Sequence, residues 1–153
     1  MSSRAKDDEI RRAQRMPFNL AERFIGVAEE ELGAPLPHSY RKAMMASNGG
    51  EVAAYEDVWN LHPILDKSDR KRLSRTCNDI LRETRRMRDW LDWPENAVAI
   101  ADNGTGDKLL FLREGRLYQP EVYLWLHDTG DVILVAQSFS ELRRPGGSET
   151  ANR

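Results

Sequence analysis

Residues 99–142, AIADNGTGDKLLFLREGRLYQPEVYLWLHDTGDVILVAQSFSEL, hold three apolar runs separated by Gly/Asp-rich turns and end on a short helix with a polar start. Alternating apolar runs bounded by such turns read as the meander of an antiparallel sheet. Val98–Ala101 and Lys108–Arg113 are strands joined through Asp102-Asn103-Gly104-Thr105-Gly106-Asp107, and Glu114-Gly115 makes the next turn. In Val122–His127, Val122, Leu124 and Leu126 point one way and Tyr123, Trp125 and His127 the other, because side chains alternate along a strand. Asp128-Thr129-Gly130-Asp131 turns into the last strand, Val132–Ala136. Ser138 then caps a helix begun by Phe139, with Glu141 in the capping-box position.

The preceding half reads as helical. Asn19 followed by Glu22 is a capping-box start, Ala21, Phe24, Ile25, Ala28 and Leu32 form one face, and Gly33 is the stop. Glu29, Glu30 and Glu31 fall mostly off that face and read as solvated. Pro37 suits the first turn of a second helix, with Leu36, Tyr40, Ala43 and Met44 inward and Asn48-Gly49-Gly50 at its end. Val52–Tyr55 and Val58–Leu61 read as short extended pieces. A long helix is expected over Asp66–Leu91, with Leu73, Cys77, Ile80, Leu81, Thr84, Met87 and Leu91 as its apolar stripe. Trp90 and Trp93 flank its end and lock it to the sheet. Nine basic and six acidic side chains lie between Asp66 and Asp92, a mixed, solvated face.

A chain of 153 residues is long enough for one domain with a core of its own. Residues 1–17 offer almost nothing to bury and read as a tail or loose helix, 18–144 as the domain, and 145–153 as a disordered tail. A net charge of -2 argues against a globally basic nucleic-acid binder. The lone Cys77 gives no disulfide framework. The N-terminus lacks the apolar core of a signal peptide, and no run reaches the length of a membrane span. Together these point to a cytoplasmic protein.

Sites for chemistry are hard to assemble from these residues. The DNGTGD loop lacks the Lys and Ser/Thr of a phosphate-binding loop and the terminal Glu of a calcium loop, so it reads as a hairpin turn with Asx caps. His38, His62 and His127 are widely separated, without HExxH or CxxC, and suggest no metal site. His127 beside Asp128 has no nucleophile to serve. The expectation is no catalytic centre, no cofactor and no metal.

The four tryptophans matter more, since Trp both fills cores and anchors interfaces. If helices cover both sheet faces, Tyr123 and Trp125 are core; if only one face is covered, they form an exposed aromatic surface. On the second reading Trp59, Tyr123, Trp125, His127 and Asp128, with Asp102 and Asp107, are the candidate protein-binding patch.

The segments Glu31-Leu32-Gly33, Leu36-Pro37, Tyr40 and Asn48-Gly49-Gly50 resemble the N-terminal signature of the SUKH superfamily, which includes the yeast cell-wall synthesis regulator and many bacterial proteins. Ile100-Ala101-Asp102-Asn103-Gly104, Gly106-Asp107, His127-Asp128 and Ser138-Phe139-Ser140-Glu141-Leu142 resemble its later signatures, in order, over about 20–143. The resemblance implies an α+β fold, mainly antiparallel sheet with helices packed around it, and no catalytic centre. It also implies a role in binding another protein: many bacterial members resemble immunity proteins that neutralise a toxin domain, and others are regulatory scaffolds on endogenous partners. Oligomeric state is not legible in these residues.

Overall fold

The computed structural model describes residues 17–144; the expected tails, apart from Pro17, lie outside the described residues. Two helices open the fold, α1 (Glu22–Leu32) and α2 (His38–Ala46). Helix α1 ends where Gly33 adopts φ 82° and its N–H donates to the Glu29 carbonyl, a backbone turn that glycine makes without strain. It does not start at Asn19: Ala21 occupies the N-cap without a side-chain hydrogen bond, and Asn19 Oδ1 accepts from Arg72 instead. Nor is Glu29 solvated. Its carboxylate accepts from the Leu36 N–H at 2.7 Å and from Arg41 Nε at 3.0 Å, tying α1 to α2.

Asn48 closes the helical pair and opens the sheet. Its buried amide bridges Ile64 in both directions at 2.8 Å, donating to the carbonyl and accepting from the N–H. Strands β1 (Gly50–Ala54) and β2 (Asp57–Leu61) form a hairpin, and β3 (Ala97–Asp102), β4 (Lys108–Glu114), β5 (Leu117–Tyr118), β6 (Val122–Trp125) and β7 (Val132–Ala136) follow. The sheet is antiparallel and curled, in the order β1-β2-β3-β4-β6-β7, with β5 pairing antiparallel with the end of β4. A 3-10 turn at Phe139–Glu141 replaces the expected C-terminal helix. The Ser138 hydroxyl accepts no capping hydrogen bond; Glu141 instead accepts from the Gln137 N–H. Past the turn, the Arg143 carbonyl accepts from the Ala53 N–H and covers part of the β1 edge.

The expected long helix over Asp66–Leu91 is two short ones, α3 (Arg70–Thr76) and α4 (Ile80–Met87). The Asp79 carboxylate accepts from the N–H groups of Leu81 and Arg82, and Asp69 does the same for Arg72. An aspartate that satisfies the free N–H groups of the following turn begins a helix rather than continuing one. The stripe is broken accordingly: Cys77 is exposed, its Sγ lying against the Ser74 carbonyl, and Leu73 and Leu91 are exposed as well.

Both faces of the sheet are covered. One carries the larger core, where Tyr40 meets Phe111 and Phe139 edge-on at 5.2 Å each and Ile25, Met44, Ile100 and Leu124 fill the space around them. The other carries Met87, Trp93, Ala97, Ala99, Leu110 and Trp125, with α4 laid across it. Two covered faces decide the question left open by the Tyr123/Trp125 alternation in favour of the core.

Candidate protein-binding surface

The β6–β7 turn and the β3–β4 turn meet at His127. Asp107 Oδ1 accepts from the His127 N–H at 3.0 Å and lies 2.7 Å from ring Nδ1, while Nε2 lies 3.1 Å from Asp128 Oδ1. Carboxylates at both ring nitrogens suit the imidazolium, which donates from each. The Asp107 hydrogen bond is the main reason the ring's pKa lies above its ordinary value; the Asp128 charge adds to it. Burial pushes the Asp107 carboxyl up, but the backbone and ring of His127 together outweigh it and hold it below the usual carboxylate range. Gly106, at φ 109°, is what lets the loop come this close: a Cβ there would stand 3.1 Å from the His127 ring. The loop behaves as an Asx-capped turn, with Asp102 accepting from Gly104 and Asn103 from Thr105.

Of the seven residues expected to form one patch, Asp107, His127 and Asp128 are together and the others are not. Trp59 and Trp125 are each 1% exposed. The Trp59 Nε1–H donates to the Ala54 carbonyl inside the larger core. Trp125 sits edge-on to Trp90 at 5.8 Å and to Trp93 at 5.2 Å, its Nε1–H donating to the Asp92 carbonyl. Neither ring can touch a partner directly in this fold. Tyr123 is half-buried against the second core. Asp102 faces a different cluster altogether.

What stands on the surface beside His127 is a pair the sequence reading had placed inside. Trp90 is 47% exposed and lies edge-on to the His127 ring at 6.5 Å, and its neighbour Leu91 is 97% exposed. Helix α4 stops at Met87, so Trp90 and Leu91 leave the helix on an irregular turn, and only Trp93 turns back into the core. Exposed Asp92, Asp128 and Asp131 rim this corner. Gly130 packs directly on Asp92, where a Cβ would stand 2.5 Å from the aspartate's own.

A second polar group joins α4 to the sheet, and no sequence pattern announced it. Lys108 Nζ donates to Glu83 Oε1 at 3.0 Å and lies 3.2 Å from His62 Nε2 and 3.9 Å from Asp102 Oδ2. Lys108, Glu83 and His62 are all buried. Strand pairing explains the meeting: Lys108 stands opposite Asp102 on β3 and opposite Trp125 on β6, on the face that α4 covers. Next to it, Thr84 Oγ1 accepts from the Ala99 N–H at the β3 bulge. Burial, then the adjacent Lys108 charge, lowers His62 from near 6.5 to about 4, so at neutral pH its ring is uncharged and accepts from the lysine.

This makes stability depend on pH in a definite direction. Between about pH 6.5 and pH 4 the unfolded chain binds a proton at His62 that the folded chain does not, so stability falls as pH falls through that window. His127 acts oppositely: its contribution is complete below its ordinary value of 6.5 and is lost as pH rises through the higher folded value. Urea unfolding across pH 4–8 is expected to show the acid-side decline in the wild type and a flatter profile in His62→Gln. An unchanged decline in the variant would remove His62 as its source.

Among the described residues no group of three His, Cys, Asp or Glu side chains is arranged to hold a metal, and no helix is long and apolar enough to cross a membrane. A curled antiparallel sheet with helices on both faces, one of them joined to it by the buried Lys108–Glu83 pair, makes this a mixed α+β domain. The chain belongs to the SMI1 / KNR4 family (SUKH-1), whose model matches residues 20–144, the span over which the sequence motifs had suggested it. Neither the curated proteins nor the solved structures compared with the chain gave a match.

Proposed function

We propose that this chain is a non-enzymatic, cytoplasmic protein-binding domain, an immunity protein that neutralises a cognate bacterial toxin by covering its working surface. Membership of the SMI1 / KNR4 family supports a binding role. The observation that carries the reading is the Trp90–Leu91 corner, a large apolar projection held on a rigid base of Trp93 and Trp125. Exposing a leucine almost completely beside a half-exposed tryptophan leaves apolar area in water, which a partner's pocket would remove. Tryptophan in such a setting dominates many interfaces, and a charged rim sets orientation and partner choice. The acidic rim of Asp92, Asp128 and Asp131 asks for an apolar pocket edged with basic groups, and His127, held between Asp107 and Asp128, fixes the Asp128 side of that rim.

The test is a pull-down from the native host supplemented with the products of adjacent genes, then calorimetric titration against a recovered toxin domain and a toxicity-rescue assay. Trp90→Ala is expected to weaken binding by about 30-fold with a modestly lowered thermal midpoint, and Leu91→Ala to act in the same direction with its midpoint nearly unchanged. Full-strength binding by both variants would refute this surface. Recovery of a housekeeping protein in place of a toxin would move the assignment to a regulatory scaffold acting on an endogenous partner.

A further inference from the structure

Of the six acidic side chains between Asp66 and Asp92, the fold engages four in contacts of its own. Asp66 is buried and accepts from the backbone and hydroxyl of Ser68, with Arg72 Nε at 3.5 Å. Asp69 and Asp79 cap α3 and α4. Glu83 is buried against Lys108. Four carboxylates are thus engaged within the domain, whereas Arg82, Arg85 and Arg86 stay exposed on α4. Only Arg86 among these three pairs with a described carboxylate, reaching Glu83 at 3.2 Å while two-thirds exposed.

The helix dipole does not by itself account for this cluster. Cations in the last turn complement the dipole, which covers Arg85 and Arg86, but Arg82 is in the first turn, where a cation is disfavoured. Arg82 is also three and four residues from Arg85 and Arg86, spacings at which like charges repel on a helix. The Arg86–Glu83 pair offsets part of this repulsion, and an outside anion would relieve the rest. The three arginines share an open depression with Leu65 and Cys77, and Asp79 and Asp89 also stand in its wall.

We infer that the outward face of α4 docks an acidic segment of a protein partner, whose carboxylates pair with Arg82, Arg85 and Arg86 while an apolar residue rests against Leu65. A nucleic-acid backbone suits it less well, because Asp79 and Asp89 interrupt the positive surface and the chain as a whole carries -2. Past α4 the chain runs from Arg88 to Trp90, so this face adjoins the corner assigned above to toxin binding; the inference does not depend on that assignment.

The experiment is fluorescence anisotropy with two labelled probes, a glutamate-rich decapeptide containing one leucine and a single-stranded oligonucleotide of equal charge. The wild type is expected to bind the peptide more tightly than the oligonucleotide. Arg82→Gln combined with Arg85→Gln is expected to weaken peptide binding by about tenfold, with a thermal midpoint nearly unchanged because relieved repulsion offsets the lost dipole contact of Arg85. Trp90→Ala is expected to leave peptide binding intact, so a failure of the toxin reading is seen separately. Absent peptide binding, binding that survives the double substitution, a lowered midpoint in that variant, or an equal or stronger grip on the oligonucleotide would each overturn the inference.

Discussion

Trp125→Ala is expected to destabilise the domain by about 3–5 kcal/mol, and not to leave a folded protein that merely binds less well. The ring is 1% exposed and fills the second core between α4 and the sheet, edge-on to Trp90 and Trp93. Its removal opens a cavity that backbone strands on one side and a short helix on the other cannot close, and leaves the Asp92 carbonyl without the indole donor. Against a total stability of roughly 5–15 kcal/mol for a domain, that is a large fraction. Urea unfolding followed by near-ultraviolet circular dichroism measures it directly. Trp90 rests on Trp125, so partner binding should fall as well, as a consequence. A variant of wild-type stability that had lost only binding would put the ring on the surface and contradict the packing described above.

The second large effect is expected from Lys108→Met. Removing the ammonium leaves the Glu83 carboxylate buried with Arg86 alone, and that arginine is mostly in solvent. Breaking a buried pair from one side costs about 3–5 kcal/mol, whereas replacing both partners by apolar groups is often neutral. Lys108→Met combined with Glu83→Leu should therefore recover most of the lost stability. The single variant carries a further signature. Without the Lys108 charge, one of the two causes that hold His62 neutral is gone, and Glu83 and Asp102 remain 4.0 and 3.8 Å from its Nε2. A protonated His62 can then replace the lysine, so the deficit against wild type should narrow as pH falls from 7.5 towards 5.5. Paired urea melts at those two values check it; a deficit that widens on acidification would show that His62 does not face the vacated position as a base.

The elements that local chemistry specifies were legible. Apolar runs between Gly/Asp turns set the β3, β4, β6 and β7 strands, Gly33 ended α1 through a positive φ, and the DNGTGD turn closed on its own Asx carboxylate and amide. The break between α3 and α4 was also written locally, in Asn78-Asp79, but a continuous 3.6-residue stripe through Cys77 competed with it. The helix period identifies residues able to share a face; it does not show that one helix carries them. Capping by Asp79 outweighed the stripe because it satisfies two N–H groups at the start of α4, and Cys77, Leu73 and Leu91 went to the surface.

The candidate surface was legible only in part. His127, Asp107 and Asp128 came together because two Gly-containing turns sit at one end of neighbouring strands, a relation that the order of strands suggests. Which tryptophans face water was not: Trp90 and Trp125 have the same side-chain chemistry, and their exposures are set by whether α4 covers the second sheet face. The Lys108–Glu83–His62 group was hidden for the same reason, since its members are 21 or more residues apart and meet only across packed layers.

Sequence alone therefore determined the α+β class, the family, the strand meander and its turns, because hydrogen bonding, glycine φ and side-chain alternation act over a few residues. The tertiary structure alone decided burial and charge placement: Trp59 and Trp125 in the cores, Trp90 and Leu91 outside, Asp66, Asp79 and Glu83 turned inward and Arg82, Arg85 and Arg86 outward. Those outcomes depend on which layer covers which face, and that is settled by the free energy of packing the whole chain, in which distant residues compete for the same interior.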